Sequence, residues 1–233
     1  MSGDLLAIIP ARGGSKRLSR KNVLPLAGKP LIAWTIEAAL RCGAVGRVVV
    51  STEDPEIAAV AESCGAEVPF MRSPGLATDT TTTIDVVLDI LSKLPQAGRV
   101  VLLQPTSPLR TARHIDEAAK LMDVRGAKAV VSVSEAEHPP EWSNPLPEDG
   151  SMDRFLRDDL KNKRSQDLPV SYRLNGAIYI ADARMLIQER TFLPCRGAYA
   201  YRMDRESSID IDGKVDFILA EILMRDRLEV SSI

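Results

Sequence analysis

Aromatic residues make up only 4% of the 233-residue chain, cysteine occurs three times and histidine twice. So few rings exclude the stacking platforms on which single-stranded nucleic acid is held. Cys42, Cys64 and Cys195 are odd in number and form no CxxC pair, so they read as reduced packing residues rather than a disulfide framework. His114 and His138, with those isolated thiols, cannot build a zinc site. Long apolar runs are missing too. Leu5-Leu6-Ala7-Ile8-Ile9 is too short for the core of a signal peptide, and no segment approaches the ~18 apolar residues of a membrane span. Neither sign of charge dominates, with 30 Lys and Arg against 32 Asp and Glu and a formal net charge of −2. Such a chain is not made to coat nucleic acid or a membrane, although it can hold a local basic pocket. The expectation is a cytoplasmic protein with a single domain over 1–233, long enough to bury a sizeable core.

What is present is a 45% hydrophobic content arranged in two alternating periods. Residues 5–10, 47–51, 67–70, 100–104 and 129–133 are short runs rich in Val, Ile and Leu, suited to strands covered on both faces. Helices are expected between them. One spans 30–41 with Pro30 in first position, and one spans 55–64 before Gly65. A third starts at Thr82, with Asp85 three residues on, and a fourth is capped by Thr111, with Ile115, Ala118, Ala119 and Met122 along one face. Further on, 175–180 reads as a strand, and a last helix after Gly213 carries Val215, Ile218, Leu219, Ile222 and Leu223 on one face. Strand alternating with helix predicts parallel βαβ units, whose ligands bind beyond the carboxyl ends of the strands. Between them, 135–172 is turn-rich and densely charged, either a flexible excursion or an arm that orders against a partner.

Four places can carry chemistry. After the first strand, Arg12-Gly13-Gly14-Ser15-Lys16-Arg17 and Arg20-Lys21-Asn22 put five cations and two glycines in one loop, suited to a triphosphate. A solvated basic turn would read the same way. The loop matches neither a Walker A sequence nor G-x-G-x-x-G. After the fourth strand, Gln104-Pro105-Thr106-Ser107-Pro108 presents neutral donors and acceptors for a sugar or base, or forms a stiff turn and cap. Asp210-Ile211-Asp212, if extended, turns two carboxylates to one face, as a mostly hydrated Mg²⁺ beside a phosphate needs; alternatively Asp212 caps the last helix. Arg72 and the run from Asp79 to Thr83 meet a helix start that could take a polar ligand or be capped by its own threonines.

Taken together, these segments resemble the acylneuraminate cytidylyltransferases, the CMP-sialic acid synthetases. The matching stretches are Ile8-Ile9-Pro10-Ala11-Arg12-Gly13-Gly14-Ser15-Lys16 with Lys21-Asn22, Ser51-Thr52, Leu76-Ala77-Thr78-Asp79-Thr80 and Leu103-Gln104-Pro105-Thr106-Ser107-Pro108-Leu109-Arg110. Arg173-Leu174-Asn175-Gly176-Ala177-Ile178-Tyr179 and Ser208-Ile209-Asp210-Ile211-Asp212 follow in the family's order. CMP-Kdo synthetases run a similar reaction, but Gly13-Gly14-Ser15-Lys16 and Lys21-Asn22 match the sialate branch better.

The resemblance implies an α/β fold of three layers around a mainly parallel mixed sheet, of the nucleotide-diphospho-sugar transferase type. It implies a Mg²⁺-dependent homodimer that joins CTP to a nine-carbon 2-keto acid sugar, N-acetylneuraminate first among them, releasing pyrophosphate. Legionaminate, pseudaminate or the deaminated sialic acid would undergo the same chemistry, and a nucleotide-binding module without turnover is the rival from another class. By the same likeness Arg12, Ser15, Lys16, Lys21 and Asn22 would hold CTP, with Arg12 and Lys21 on the leaving pyrophosphate. Arg72 and Thr83 would contact the nucleoside, and Gln104, with Thr106, would lie between nucleotide and sugar. Arg173, Asn175 and Tyr179 would line the sugar pocket, while Asp210 and Asp212 would hold the metal, with Asp212 also the candidate base. The segment 135–172 would form the dimer arm. Where relatives often carry a basic residue directly before Gln166-Asp167-Leu168-Pro169, this chain has Ser165, which leaves Arg164 as the candidate.

Overall fold

Short apolar runs become the strands of one central sheet in the computed structural model, which describes residues 4–230 apart from Cys195; the reading of that cysteine lies outside the described residues. In chain order the elements are β1 (Leu5–Pro10), β2 (Pro25–Leu26), β3 (Lys29–Pro30), α1 (Leu31–Leu40), β4 (Val45–Ser51), α2 (Pro55–Ser63) and α3 (Thr83–Lys93). They continue as β5 (Arg99–Leu102), α4 (Ala112–Arg125), β6 (Ala129–Glu135), β7 (Tyr172–Asp182), α5 (Ala183–Glu189), β8 (Ala198–Met203) and α6 (Lys214–Val230). The sheet order is β4-β1-β5-β7-β6-β8. β1 runs parallel to β4 and β5, β6 runs parallel to β8, and β7 is antiparallel to both of its neighbours.

Alternation along the strands builds the three layers. Leu5, Ala7 and Ile9 of β1 pack with Ile32 and Ile36 of α1, Ile57 of α2 and Ile115 of α4 on one face. Leu6 and Ile8 point the other way, into a cluster with Val87 and Ile90 of α3 and Met185 and Leu186 of α5. The expected caps form: Thr82 accepts from the Asp85 amide while Asp85 returns the bond to Thr82, and Thr111 accepts from His114. All four residues on the apolar face of α4 are buried.

Four readings are corrected. Residues 67–70 are not a strand: Glu67 makes one bridge to β4, and Pro69, which has no N–H, cannot extend the ladder. β5 ends at Leu102, so Gln104 already belongs to the following turn. Pro30 closes the β2–β3 hairpin and caps α1 rather than occupying its first turn. In α6 only Leu223 of the expected apolar stripe packs inward. Ala220 and Met224 are buried against Leu26 and Ile211, while Val215 is 79% exposed and Ile218, Leu219 and Ile222 are exposed beside it. That contact of α6 with the hairpin carries the segment after β8 back across the carboxyl end of β1.

Candidate active site

Gly13 sits where a side chain would have to displace Asp54. A Cβ there would lie 2.5 Å from Asp54 Oδ2, and the Gly13 N–H donates to Glu53 Oε1 at 2.7 Å. The first glycine amide is therefore spent on a carboxylate of this chain rather than offered to a ligand, a correction to the sequence expectation. Glu53 Oε2 in turn lies 3.9 Å from Arg72 Nη1. Arg72 is buried, donating from Nε to Ser51 Oγ at 3.0 Å and from Nη2 to the Ser51 carbonyl. Burial draws its guanidinium below the usual arginine range, with Glu53 opposing. Glu53 thus joins the loop after β1 to Arg72. Sequence reasoning passed over it, although it lies one residue beyond Ser51-Thr52 in a loop already marked as being on the ligand side.

The loop cations do not all converge. Arg20, with left-handed φ of 54°, turns to Asp54 and Glu56 at the start of α2. Arg12 and Lys16 instead reach across to one carboxylate, Asp79, at 3.0 and 2.5 Å. Asn22 is buried and donates to the Arg12 carbonyl at 2.9 Å, holding the loop's bend. Asp79 also lines a cavity of ≈ 330 Å³, together with Arg12, Ser15, Lys21, Asn22, Arg72, Thr83, Gln104 and Thr106.

The acidic segment meets this loop directly. Lys21 Nζ donates to the Ile211 carbonyl at 2.6 Å, the Ile211 N–H donates to the Thr106 carbonyl at 2.8 Å, and Arg17 pairs with Asp212 at 2.9 Å. Burial lowers the Lys21 ammonium, against the charges of Asp212 and Asp210. For Asp210 burial raises the carboxyl, the Thr106 hydroxyl opposes this, and the Asp212 charge adds to it. The amides of Asp212 and Gly213 go to Asp216 Oδ2 at 3.1 and 2.7 Å, while the Asp212 carboxylate is the one paired with Arg17.

The described residues contain no cluster of three or more His, Cys, Asp or Glu side chains placed to hold a metal. A pair still fits a hard cation that keeps several waters and shares a phosphate. Asp210 Oδ1 is buried without a hydrogen-bond partner, and Asp212 stands beside it on the exposed side, as such a pair requires.

Other expected residues lie apart from the cavity. Tyr179 is half-buried with its ring 5.6 Å from that of Phe192, and burial and the Asp210 charge raise its hydroxyl. Phe192 was not anticipated; a lone aromatic outside any periodic segment gives no signal. Asn175 is 1% exposed and presents no amide to the cavity, because Nδ2 donates to Ser208 Oγ at 2.9 Å and Oδ1 accepts from the Ala177 N–H at 3.2 Å. Arg173 is exposed, 3.7 Å from Glu137, and Arg164 pairs with Asp167 within the 135–172 segment.

Residues 6–223 match the family model described as Cytidylyltransferase. The chain is 43% identical to a CMP-N,N'-diacetyllegionaminic acid synthase of Legionella pneumophila, over 94% of this chain and 96% of that protein. It is 41% identical to an N-acylneuraminate cytidylyltransferase of Escherichia coli, over 94% of this chain but 52% of that longer protein. In fold it is similar to a CMP:2-keto-3-deoxy-manno-octonic acid synthetase solved with CTP, with a TM-score of 0.72, 20% identity and coverage of 96% and 99% of the two chains.

Proposed function

The chain belongs to the cytidylyltransferase family, and from that premise we propose that it transfers CMP from CTP to the anomeric hydroxyl of a nine-carbon 2-keto acid sugar. The single observation that carries the reading is the meeting of Lys21 with the Asp210–Asp212 segment at the cavity lined by Arg12, Arg72 and Gln104. A simple nucleotide binder has little use for a half-buried carboxylate set against its phosphate cations.

In the reaction the sugar oxygen forms a bond to the α-phosphorus as the bond to the bridging oxygen breaks, and pyrophosphate leaves with that electron pair. The hydroxyl proton passes to Asp212, directly or through water. Lys21 and Arg12 neutralise the departing pyrophosphate, and Arg72 supports the nucleoside side from beneath. Work of this kind is mainly positioning and charge stabilisation. Asp210 and Asp212 would hold a Mg²⁺ ion, which when bound supplies further charge neutralisation at phosphate oxygens.

We assign 135–172 to the arm of a homodimer, supported by Leu146, Met152 and Val170, which are 61%, 58% and 63% exposed in a single chain. N-acetylneuraminate is the first acceptor to test. N,N'-diacetyllegionaminate is the second, favoured by the match to nearly the full length of the Legionella relative. The deciding assay is pyrophosphate release across nucleotides and acid sugars, with and without EDTA. The reading requires release only when CTP and an acid sugar are both present, and its loss in EDTA; release without the sugar, or none with any acid sugar, would overturn it.

A further inference from the structure

β7 leaves the sheet and rejoins it within a few residues. Leu174 pairs with Val133 and Tyr179 with Val131, so Asn175, Gly176, Ala177 and Ile178 together oppose Ser132 alone. Bulges near sites re-aim the strand. This one turns Gly176, at φ 76°, toward the crevice, where a Cβ would stand 3.6 Å from both Asp210 Oδ2 and Gln104 Oε1.

The bulge is stitched from two sides. On the β6 side the Ser132 hydroxyl accepts from the Ile178 N–H at 2.8 Å and lies 2.6 Å from Asn175 Oδ1. On the other side is Arg110, 2% exposed, whose Nη1 donates to the Ala177 carbonyl at 3.0 Å and to the Gln104 carbonyl at 3.3 Å. Its Nε and Nη2 have no hydrogen-bond partner, and it forms no ion pair among the described residues. Burial alone brings the guanidinium down to about 9. A buried cation without a counter-charge is costly, and an apolar side chain of similar size would fill the space at less expense. The two carbonyls explain its presence, because among the described residues no other side chain hydrogen-bonds the Gln104 turn to the bulge.

We propose that Arg110 is a positioning residue for cytidylyl transfer: it fastens the turn at Gln104 to the bulge of β7 and so sets the gap where Gln104 faces Asp210. This rests on the function proposed above.

The test compares wild type with Arg110→Met, Arg110→Lys and Ser132→Ala. In hydrogen-exchange mass spectrometry, Arg110→Met should lose protection together in 103–107 and 174–179 and little elsewhere. In kinetics normalised to folded protein, its KM for the acid sugar should rise, or kcat fall, by ~10-fold or more, while KM for CTP stays within ~3-fold. Arg110→Lys, which keeps a donor for the carbonyls, should recover most of the loss. Ser132→Ala, which loosens the bulge from its other side, should show the same kinetic split and carries the test if Arg110→Met does not fold. Unchanged exchange in the two segments would overturn the proposal, as would losses that only follow the folded fraction with both KM values intact. Wild-type inactivity with every acid sugar would sink the functional reading instead, and the exchange comparison would still decide the role of Arg110.

Discussion

Asp210 shows how one side chain is set for its task. Its carboxyl is raised by burial, so as pH falls it gains its proton earlier than an ordinary aspartate and stops being an anion for a cation to bind. The sign follows for activity. At subsaturating Mg²⁺, kcat/KM should fall on the acid side at a pH higher than an ordinary aspartate would give, and Asp210→Asn should remove that limb while lowering turnover by ~100-fold. A pH profile with its acid limb at the ordinary aspartate position would remove Asp210 from this role. Much at this scale was legible beforehand. Arg12, Lys21, Arg72, Gln104 and Thr106 line one cavity; Arg12 and Lys21 follow β1 and Gln104 and Thr106 follow β5, while Arg72 follows the apolar run 67–70 that makes only one bridge. Asn175 was less legible, because sequence places a residue at a strand's end without saying whether its amide is consumed by Ser208 and Ala177. Glu53 carried no pattern of its own, since its partners Gly13 and Arg72 are brought to it only by tertiary structure.

At the scale of elements, the buried strands and capped helices could be read because their residues alternate apolar runs with caps. β8 could not: Ala198–Met203 is an edge strand with only Met203 buried, so its sequence lacks the run that marks a covered strand. α5 spans seven residues, too few for a helical period to emerge, and the bulge of β7 leaves no trace in a continuous apolar segment. The loop between the single 3-10 turn Pro74–Leu76 and α3 matters most for function, because Asp79 on it holds both Arg12 and Lys16. That carboxylate occupies the cations a triphosphate needs. These are exposed ion pairs, weak individually, so Asp79→Asn should lower KM for CTP by a modest ~2–5-fold, with the gain shrinking as salt is added. A higher KM would mean that Asp79 orders the loop for binding instead of competing with the nucleotide.

At the scale of the molecule, three layers hold the carboxyl ends of β1 and β5 side by side, and α6 packed on the β2–β3 hairpin returns Asp210 and Asp212 to the same edge. No described helix is long and apolar enough to cross a membrane. The exposed apolar residues of 135–172 make the assembly a separate matter, and sedimentation should give about twice the 25.5 kDa of one chain; a fully active monomer would contradict the arm's assignment. The central claim is that the early cations and the late acids act on the same phosphates. A double-mutant cycle tests it most directly, with kcat/KM for CTP measured in wild type, Lys21→Ala, Asp212→Asn and the pair. Groups serving one transition state should couple by ~1 kcal/mol or more, so the double variant should lose clearly less than the product of the single losses, whereas losses that multiply within a factor of ~2 would place the two residues in separate sites.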